Sequence, residues 1–331
     1  MKKQLVAGVD LGGTSLSAVV ADPSGNVLGL AEADTPPPNA DPGPVIREIA
    51  RIVREAAGAA GVDMGDLLAL GVGAPGTLDP DTGFMAKAVN LGWLDVPFTR
   101  LLQDETGLPS FAAGDVQSAI MGEHTFGAAK GAASAIGVWI GTGLGGGIIL
   151  GGELYRGHSG AAGEIGHMVV APGGPECGCG RKGCIEAFAS RTAIERDLRA
   201  AIAAGRKSVV LEIMEKRGKT RITSGILKRA LAADDALTME VLARAQDHLG
   251  TFVANLINVL DPEVVVVGGG LVEKLGDNFV APIRAKAQAE CFRRPAGPPR
   301  VLPSALGDDA GSLGASEIAR RRLNRQVASL K

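Results

Sequence analysis

One pattern occurs twice in this chain. Near the start, the apolar run Leu5 to Val9 meets Asp10-Leu11-Gly12-Gly13-Thr14, continues as Leu16 to Val20, turns at Pro23-Ser24-Gly25-Asn26 and resumes at Val27 to Ala31. Midway along, Ile136-Gly137-Val138-Trp139-Ile140 meets Gly141-Thr142-Gly143, continues from Gly145 to Leu150, turns at Gly151-Gly152 and resumes with Leu154-Tyr155-Arg156. Strand, Gly/Thr corner, strand, turn, strand is the order in both, and self-similarity of this kind bounds the fold before any single residue does. Each copy is followed by helical periodicity and further strands, which predicts a duplicated α/β protein with mixed sheets.

Behind the first copy, a Pro-rich loop from Thr35 to Pro44 leads into a helix that Asp41 can cap and Pro42 can start, with Val45, Ile46, Ile49, Ile52, Val53 and Ala56 at helical spacing. A strand from Leu67 to Val72, a loop carrying Asn90-Leu91-Gly92-Trp93, a short helix from Phe98 to Thr106, a strand from Ser110 to Ala113 and a helix after Asp115 follow. Behind the second copy, helices are predicted over Glu186 to Ala204, Val209 to Lys216, Ser224 to Ala233 and Asp235 to Leu260. The run Val264 to Val267 reads as a buried strand entering Gly268-Gly269-Gly270, followed by a helix around Asn278 to Glu290, a strand near Arg300 and a last helix from about Ala310.

Between the second meander and its helices lies the segment with the most chemistry. Gly163-Glu164-Ile165-Gly166-His167 precedes Cys177-Gly178-Cys179 and Cys184-Ile185-Glu186. Three thiolates and an imidazole complete a tetrahedral zinc ion, leaving no open position, so His167, Cys177, Cys179 and Cys184 form a candidate structural Zn2+ site. His167 as a core histidine is the plainer alternative. Glu164 and Glu186, at the two ends of this loop, are either surface acids or fixed acceptors for the hydroxyls of a polyol. Cys291 stands alone and reads as a buried thiol.

The corners Gly12-Gly13-Thr14 and Gly141-Thr142-Gly143 each put bare N–H groups and a hydroxyl where phosphate oxygens can approach, although a tight hairpin also needs glycine. Neither matches the Walker pattern and neither opens a helix, so a P-loop or Rossmann site fits poorly. Gly268-Gly269-Gly270 would let a base or ribose lie against backbone, or is an ordinary strand-to-helix turn. Asp10 is suited to Mg2+ beside the phosphates, or is a turn residue. Asp115 is a helix cap or a base that accepts the proton of an attacking hydroxyl.

Composition removes several partners. A net charge of −2 leaves no basic excess for nucleic acid, and aromatic content of 3% gives few stacking platforms. No stretch approaches the roughly 18 unbroken apolar residues of a membrane span, and Lys2 and Lys3 lead into a strand-like run instead of a secretory signal. The expected location is the cytoplasm, where clustered thiols stay reduced and bind metal.

Gly141 to Gly147, Gly163-Glu164-Ile165-Gly166-His167 and Cys177-x-Cys179-Gly180-x-x-Gly183-Cys184-x-Glu186 together resemble the signature of the ROK family of sugar kinases, most closely its bacterial glucokinases. Asp10-x-Gly12-Gly13-Thr14, Gly73-x-Pro75-Gly76, Asn90-Leu91 and Gly268-Gly269-Gly270 extend the likeness over almost the whole chain. The resemblance implies two actin-like, ribonuclease-H-like α/β domains with a cleft between them. It places residues 1–114 in the smaller, with the last helix (about 311–331) packing back on it, and residues 115–310 in the larger. It also implies MgATP and a small-molecule sugar as ligands, phosphoryl transfer to the 6-hydroxyl of a hexose, glucose first, and homodimers or homotetramers. By position, Asp115 matches the catalytic base, and Asn90, Glu164, His167 and Glu186 match sugar-contacting residues. One departure is Gly114, where the family usually has Asn; the lost amide can redirect sugar choice toward fructose, mannose or an N-acetylhexosamine. Two non-catalytic alternatives are a ROK sugar-sensing regulator, whose DNA-binding module would precede Asp10 where only nine residues stand, and a sugar-binding protein without turnover.

Overall fold

Alternating apolar residues between glycine corners pair as the sequence pattern predicts: β1 (Leu5–Leu11) and β2 (Ser15–Ala21) form an antiparallel hairpin, and β2 pairs β3 (Val27–Asp34) antiparallel. A computed structural model describes residues 4–79 and 81–329. Helix α1 (Gly43–Ala59) packs its apolar stripe, including Ile49, Ile52, Val53 and Ala56, on these strands. The helix begins one residue later than expected, with Pro42 in the N-cap position, and Asp41 Oδ1 accepts the Gly43 N–H at 2.9 Å, the bond expected of a capping aspartate.

Strand β4 (Leu67–Ala74) joins β1 in parallel. A small sheet then interrupts the pattern, β5 (Thr77–Leu78), β6 (Met85–Ala88) and β7 (Trp93–Val96), in the segment expected to be loop. Helix α2 (Phe98–Thr106) ends on Gly107, β8 (Ser110–Gly114) extends the main sheet in parallel with β4, and α3 (Asp115–Phe126) follows without a linker.

The second meander is β9 (Ser134–Ile140), β10 (Leu144–Leu150) and β11 (Glu153–Tyr155). After the cysteine loop come α4 (Glu186–Ala189), α5 (Arg191–Ala203), α6 (Val210–Lys216), α7 (Ser224–Ala232) and the long α8 (Ala236–Leu260). The single helix expected over Glu186 to Ala204 is broken at Ser190, whose extended backbone and hydroxyl, accepting the Ala193 N–H, start a new helix. Strand β12 (Val264–Gly268) leads straight into α9 (Gly270–Leu275), then α10 (Asp277–Glu290), β13 (Arg300–Pro303) and α11 (Ala310–Ser329).

The two large sheets have the orders β3-β2-β1-β4-β8 and β11-β10-β9-β12-β13. Taken in chain sequence these are one strand order used twice, and the outer pairs agree in direction: β2–β3 and β10–β11 are antiparallel, β4–β8 and β12–β13 parallel.

The contacts divide the chain into a first unit, Met1–Ala135 with Gly147–Gly163 and Asp308–Lys331, and a second, Ile136–Gly146 with Glu164–Gly307. Helix α3 lies along α11 and belongs with it to the first unit in this division. That packing is unusually close: a Cβ at Gly314 would stand 1.7 Å from the Ser118 carbonyl oxygen, and one at Gly8 would stand 2.0 Å from that of Ser312. Glycine at these positions lets α11 seat on both α3 and β1.

Candidate active site

In the first unit, Asp10 lies at the end of β1, opposite Gly73 of β4. Its carboxyl is packed against Gly311 at the start of α11, where an added Cβ would meet Cγ at 2.6 Å. Burial, and then the negative charges of Asp115 and Asp308, push its pKa up to about 7. Three acids of one unit thus repel one another around a desolvated carboxyl, and hard oxygen donors of this kind suit Mg2+.

Asp115 is not the cap of α3 but its first helical residue, after Gly114; it is exposed, and its Oδ1 accepts the Val116 N–H at 2.7 Å. What fixes this helix start is Gln117, whose Oε1 accepts the Gly114 N–H at 3.3 Å while Nε2 donates to the carbonyls of Gly160 and Ala162 at 3.1 and 3.2 Å. Sequence reasoning missed Gln117, although Gln three residues after a helix cap is a readable sign. The corner Gly12-Gly13-Thr14 is held by Gly12 N–H to Ser15 O at 2.9 Å and by Thr35, which bonds Gly12 O and Thr14 O; Gly13 has nothing within 4 Å of where a Cβ would sit, so its backbone is open. Asn90 is exposed on the short turn Val89–Leu91, closed by Gly92 at φ 74°.

In the second unit, the ligand atoms of His167, Cys177, Cys179 and Cys184 lie within 4.8 Å of one another. Two sulfurs bound at about 2.3 Å to one tetrahedral ion stand about 3.8 Å apart, and a sulfur and an imidazole nitrogen about 3.6 Å. The Cys179 and Cys184 sulfurs are 3.8 Å apart, and Cys177 Sγ is 3.6 Å from His167 Nδ1. The donor set therefore fits zinc in both chemistry and spacing. Burial pushes the Cys177 thiol up to about 12, whereas the Arg181 N–H and guanidinium draw Cys179 down to about 6. The loop is shaped by Gly183, at φ 85°, where a Cβ would meet Ala171 O at 1.9 Å.

Glu186 ties this loop to the second corner. Its Oε2 accepts the Leu144 N–H at 2.9 Å, its Oε1 lies 3.4 Å from Cys177 Sγ, and a Cβ at Gly143 would approach Oε2 to 2.5 Å. Glu164 is exposed at the head of the turn Ile165–His167. In the corner itself, the Cβ position of Gly141 is open, and Thr142 is gripped by Arg191 and Thr192 of α5. Arg191 was not legible as a site residue from spacing.

Of the late glycines, two are explained by their own fold. A Cβ at Gly268 would meet the Trp139 ring at 2.6 Å, and Gly269, at φ 87°, would meet Ile140 backbone at 2.8 Å. Gly270 alone leaves room, with Ser224 Oγ at 3.6 Å.

Two sheets of one topology, each with a glycine corner at its first hairpin, define the actin-like class of sugar-kinase folds. The chain belongs to the ROK family, whose family model matches residues 6–322. The glucokinase of Halalkalibacterium halodurans is 35% identical over 326 residues, covering 98% of this chain and 97% of that protein. A ROK family glucokinase from Streptomyces griseus, solved in complex with glucose and AMPPNP, has a TM-score of 0.84 at 32% identity, covering 96% of this chain and 99% of its own. The xylose repressor of Bacillus subtilis is 29% identical over 252 residues, which cover 76% of this chain and 61% of that protein.

Proposed function

We propose that this protein is an ATP-dependent hexose kinase that transfers the terminal phosphoryl group to the 6-hydroxyl of glucose. The observation that carries the reading is its full-length likeness in sequence and fold to glucokinases, one of them solved with glucose and an ATP analogue.

In this reading Asp115 accepts the hydroxyl proton as the sugar oxygen attacks the terminal phosphorus; the bond to the leaving ADP oxygen breaks and ADP departs. Placed at the start of α3, its carboxylate is positioned by the Gln117 bonds. Asn90, Glu164, His167 and Glu186 bond the other hydroxyls. His167 presents Nδ1 to Cys177, which leaves Nε2 for the sugar, and Glu186 keeps unused lone pairs beside its Leu144 bond. Gly12, Gly13 and Thr14 of one corner, and Gly141, Thr142 and Gly143 of the other, receive phosphate oxygens, while Gly268, Gly269 and Gly270 border the nucleoside. Asp10 would hold Mg2+, which neutralises phosphate charge when bound. Zinc on His167, Cys177, Cys179 and Cys184 would brace the loop that carries the sugar acceptors. The two compact units serve as the two domains, in a cytoplasmic homodimer or homotetramer without nucleic-acid partners. Among the described residues, no helix is long and apolar enough to cross a membrane.

ADP release with MgATP, measured against a panel of hexoses and N-acetylhexosamines, tests this directly. Turnover fastest on glucose supports it; turnover fastest on another sugar keeps the kinase and moves the substrate. Sugar binding without ADP release would favour a regulator of the repressor kind, to which the xylose repressor likeness points.

A further inference from the structure

Arg191 breaks a local rule. It is the first residue of α5, where the helix dipole disfavours a cation, and it has no acid in its own first turn to offset the charge. The acid one turn along, Glu195, is engaged by Arg199 at 2.9 Å and by Arg221 at 2.8 Å. Among the described residues Arg191 forms no ion pair, although it is half-buried. Burial and then the neighbouring Arg221 lower its pKa, with Glu195 opposing them less strongly. Half-burying a guanidinium without a carboxylate costs free energy, and local misfits of this type concentrate where a ligand supplies the missing partner.

Its position says which partner. Nη2 donates to Thr142 Oγ1 at 2.5 Å, and the Arg191 N–H donates to Gly141 O at 3.0 Å. Thr192 Oγ1 bonds Thr142 O at 2.7 Å, so the whole corner is strapped to the start of α5. Because Thr142 Oγ1 accepts from the guanidinium, its own O–H can be donated to a ligand oxygen. An oxygen that accepts from it lies at most about 5 Å from Nη2, within reach of the remaining guanidinium donors.

We infer that Arg191 binds the outer phosphates of the nucleotide at the Gly141-Thr142-Gly143 corner, acting through its charge as well as through its bond to Thr142. This rests on the kinase reading above. It adds a cationic ligand that the corner motif does not contain.

The test compares Arg191→Lys, Arg191→Gln and Arg191→Ala with the parent protein, using calorimetric binding of AMP, ADP and ATP and steady-state kinetics with glucose. Gln keeps a donor for Thr142 and removes the charge; Lys keeps the charge. The expected result is that Gln and Ala weaken ATP and ADP binding roughly 10- to 100-fold, the range for a charge-assisted hydrogen bond, while AMP binding and the KM for glucose stay within about twofold. Lys should recover part of the loss. ATP binding by Arg191→Gln equal to that of the parent, or AMP weakened as much as ATP, overturns the inference and leaves the kinase reading intact. A parent protein that neither binds ATP nor phosphorylates any hexose removes both.

Discussion

Replacing Asp10 by Asn should stabilise the metal-free protein while destroying its turnover, and the size of the gain follows from one carboxyl. Asp10 is buried against Gly311, and desolvation together with the charges of Asp115 and Asp308 raises its pKa from 3.8 to about 7. A group whose folded pKa lies above its unfolded value binds a proton more tightly when folded. Its stabilisation is therefore complete below the unfolded pKa and is lost as pH rises toward the folded one. Between pH 4 and pH 7 the cost accumulates at about 1.4 kcal/mol per unit, reaching roughly 4 kcal/mol above pH 7. Asn has the same shape against Gly311 and carries no charge, so it escapes this penalty. Denaturant melts at pH 5 and pH 8, in magnesium-free buffer without chelator so that zinc is kept, isolate the effect as the difference between parent and variant. That difference should favour the variant by about 1.5 kcal/mol at pH 5 and by up to about 4 kcal/mol at pH 8. Added Mg2+ with ATP should stabilise the parent and release protons near pH 7, and should do neither for the variant. A variant no more stable than the parent at pH 8 would refute the strained-carboxylate argument.

Asp115→Asn should fold, bind glucose and lose roughly 10²- to 10⁴-fold in kcat, the span of general base catalysis; near-parental kcat would remove Asp115 from that role. Cys179→Ser should abolish zinc in metal analysis of the purified protein and raise the KM for sugar, and a parent protein without zinc would defeat the brace outright. Gly114→Asn should be tolerated, since Gly114 has φ −59° and a Cβ there meets nothing nearer than Gln117 at 3.4 Å. With an amide in place, kcat/KM for glucose relative to the other hexoses should rise roughly 2- to 10-fold, one hydrogen bond's worth; an unchanged ratio would detach Gly114 from sugar choice.

The doubled topology and the Cys/His cluster were legible in the sequence because both are local patterns. Glycine corners recur beside alternating apolar residues, and His167 and the three cysteines fall in one short loop. What stayed hidden depends on contacts between distant segments or on elements too short to show a period. The strands Thr77–Leu78, Met85–Ala88 and Trp93–Val96 are two to four residues long, below what alternation can reveal. The break at Ser190 is invisible to helical spacing, since apolar residues continue on either side and only the capping bond ends the run. At Gly268 and Gly269 a side chain would meet Trp139 and Ile140, far away in sequence, a packing reason for glycine that spacing could not show. Asp10 could be named as a candidate from its corner, but its raised pKa comes partly from α11, at the other end of the chain.

The duplication also explains where the chemistry is concentrated. Laying β9 on β1 residue for residue pairs Gly137 with Gly8, Val138 with Val9 and Trp139 with Asp10. The matching neighbours are Gly73 and Gly268: Asp10 lies opposite Gly73 in the first sheet, and the Trp139 ring rests where a side chain on Gly268 would stand. The two glycines serve different neighbours: a Cβ at Gly73 would meet Ser118 Oγ at 2.9 Å, while the Asp10 carboxyl lies against Gly311. The first copy thus carries a carboxyl at this position, whose burial is unfavourable without a cation, and the second an indole, which contributes packing. A single strand-corner-strand unit thus carries a buried carboxyl in one copy and a packed indole in the other. The copy with the indole is the one whose corner is tied to Arg191 and Glu186.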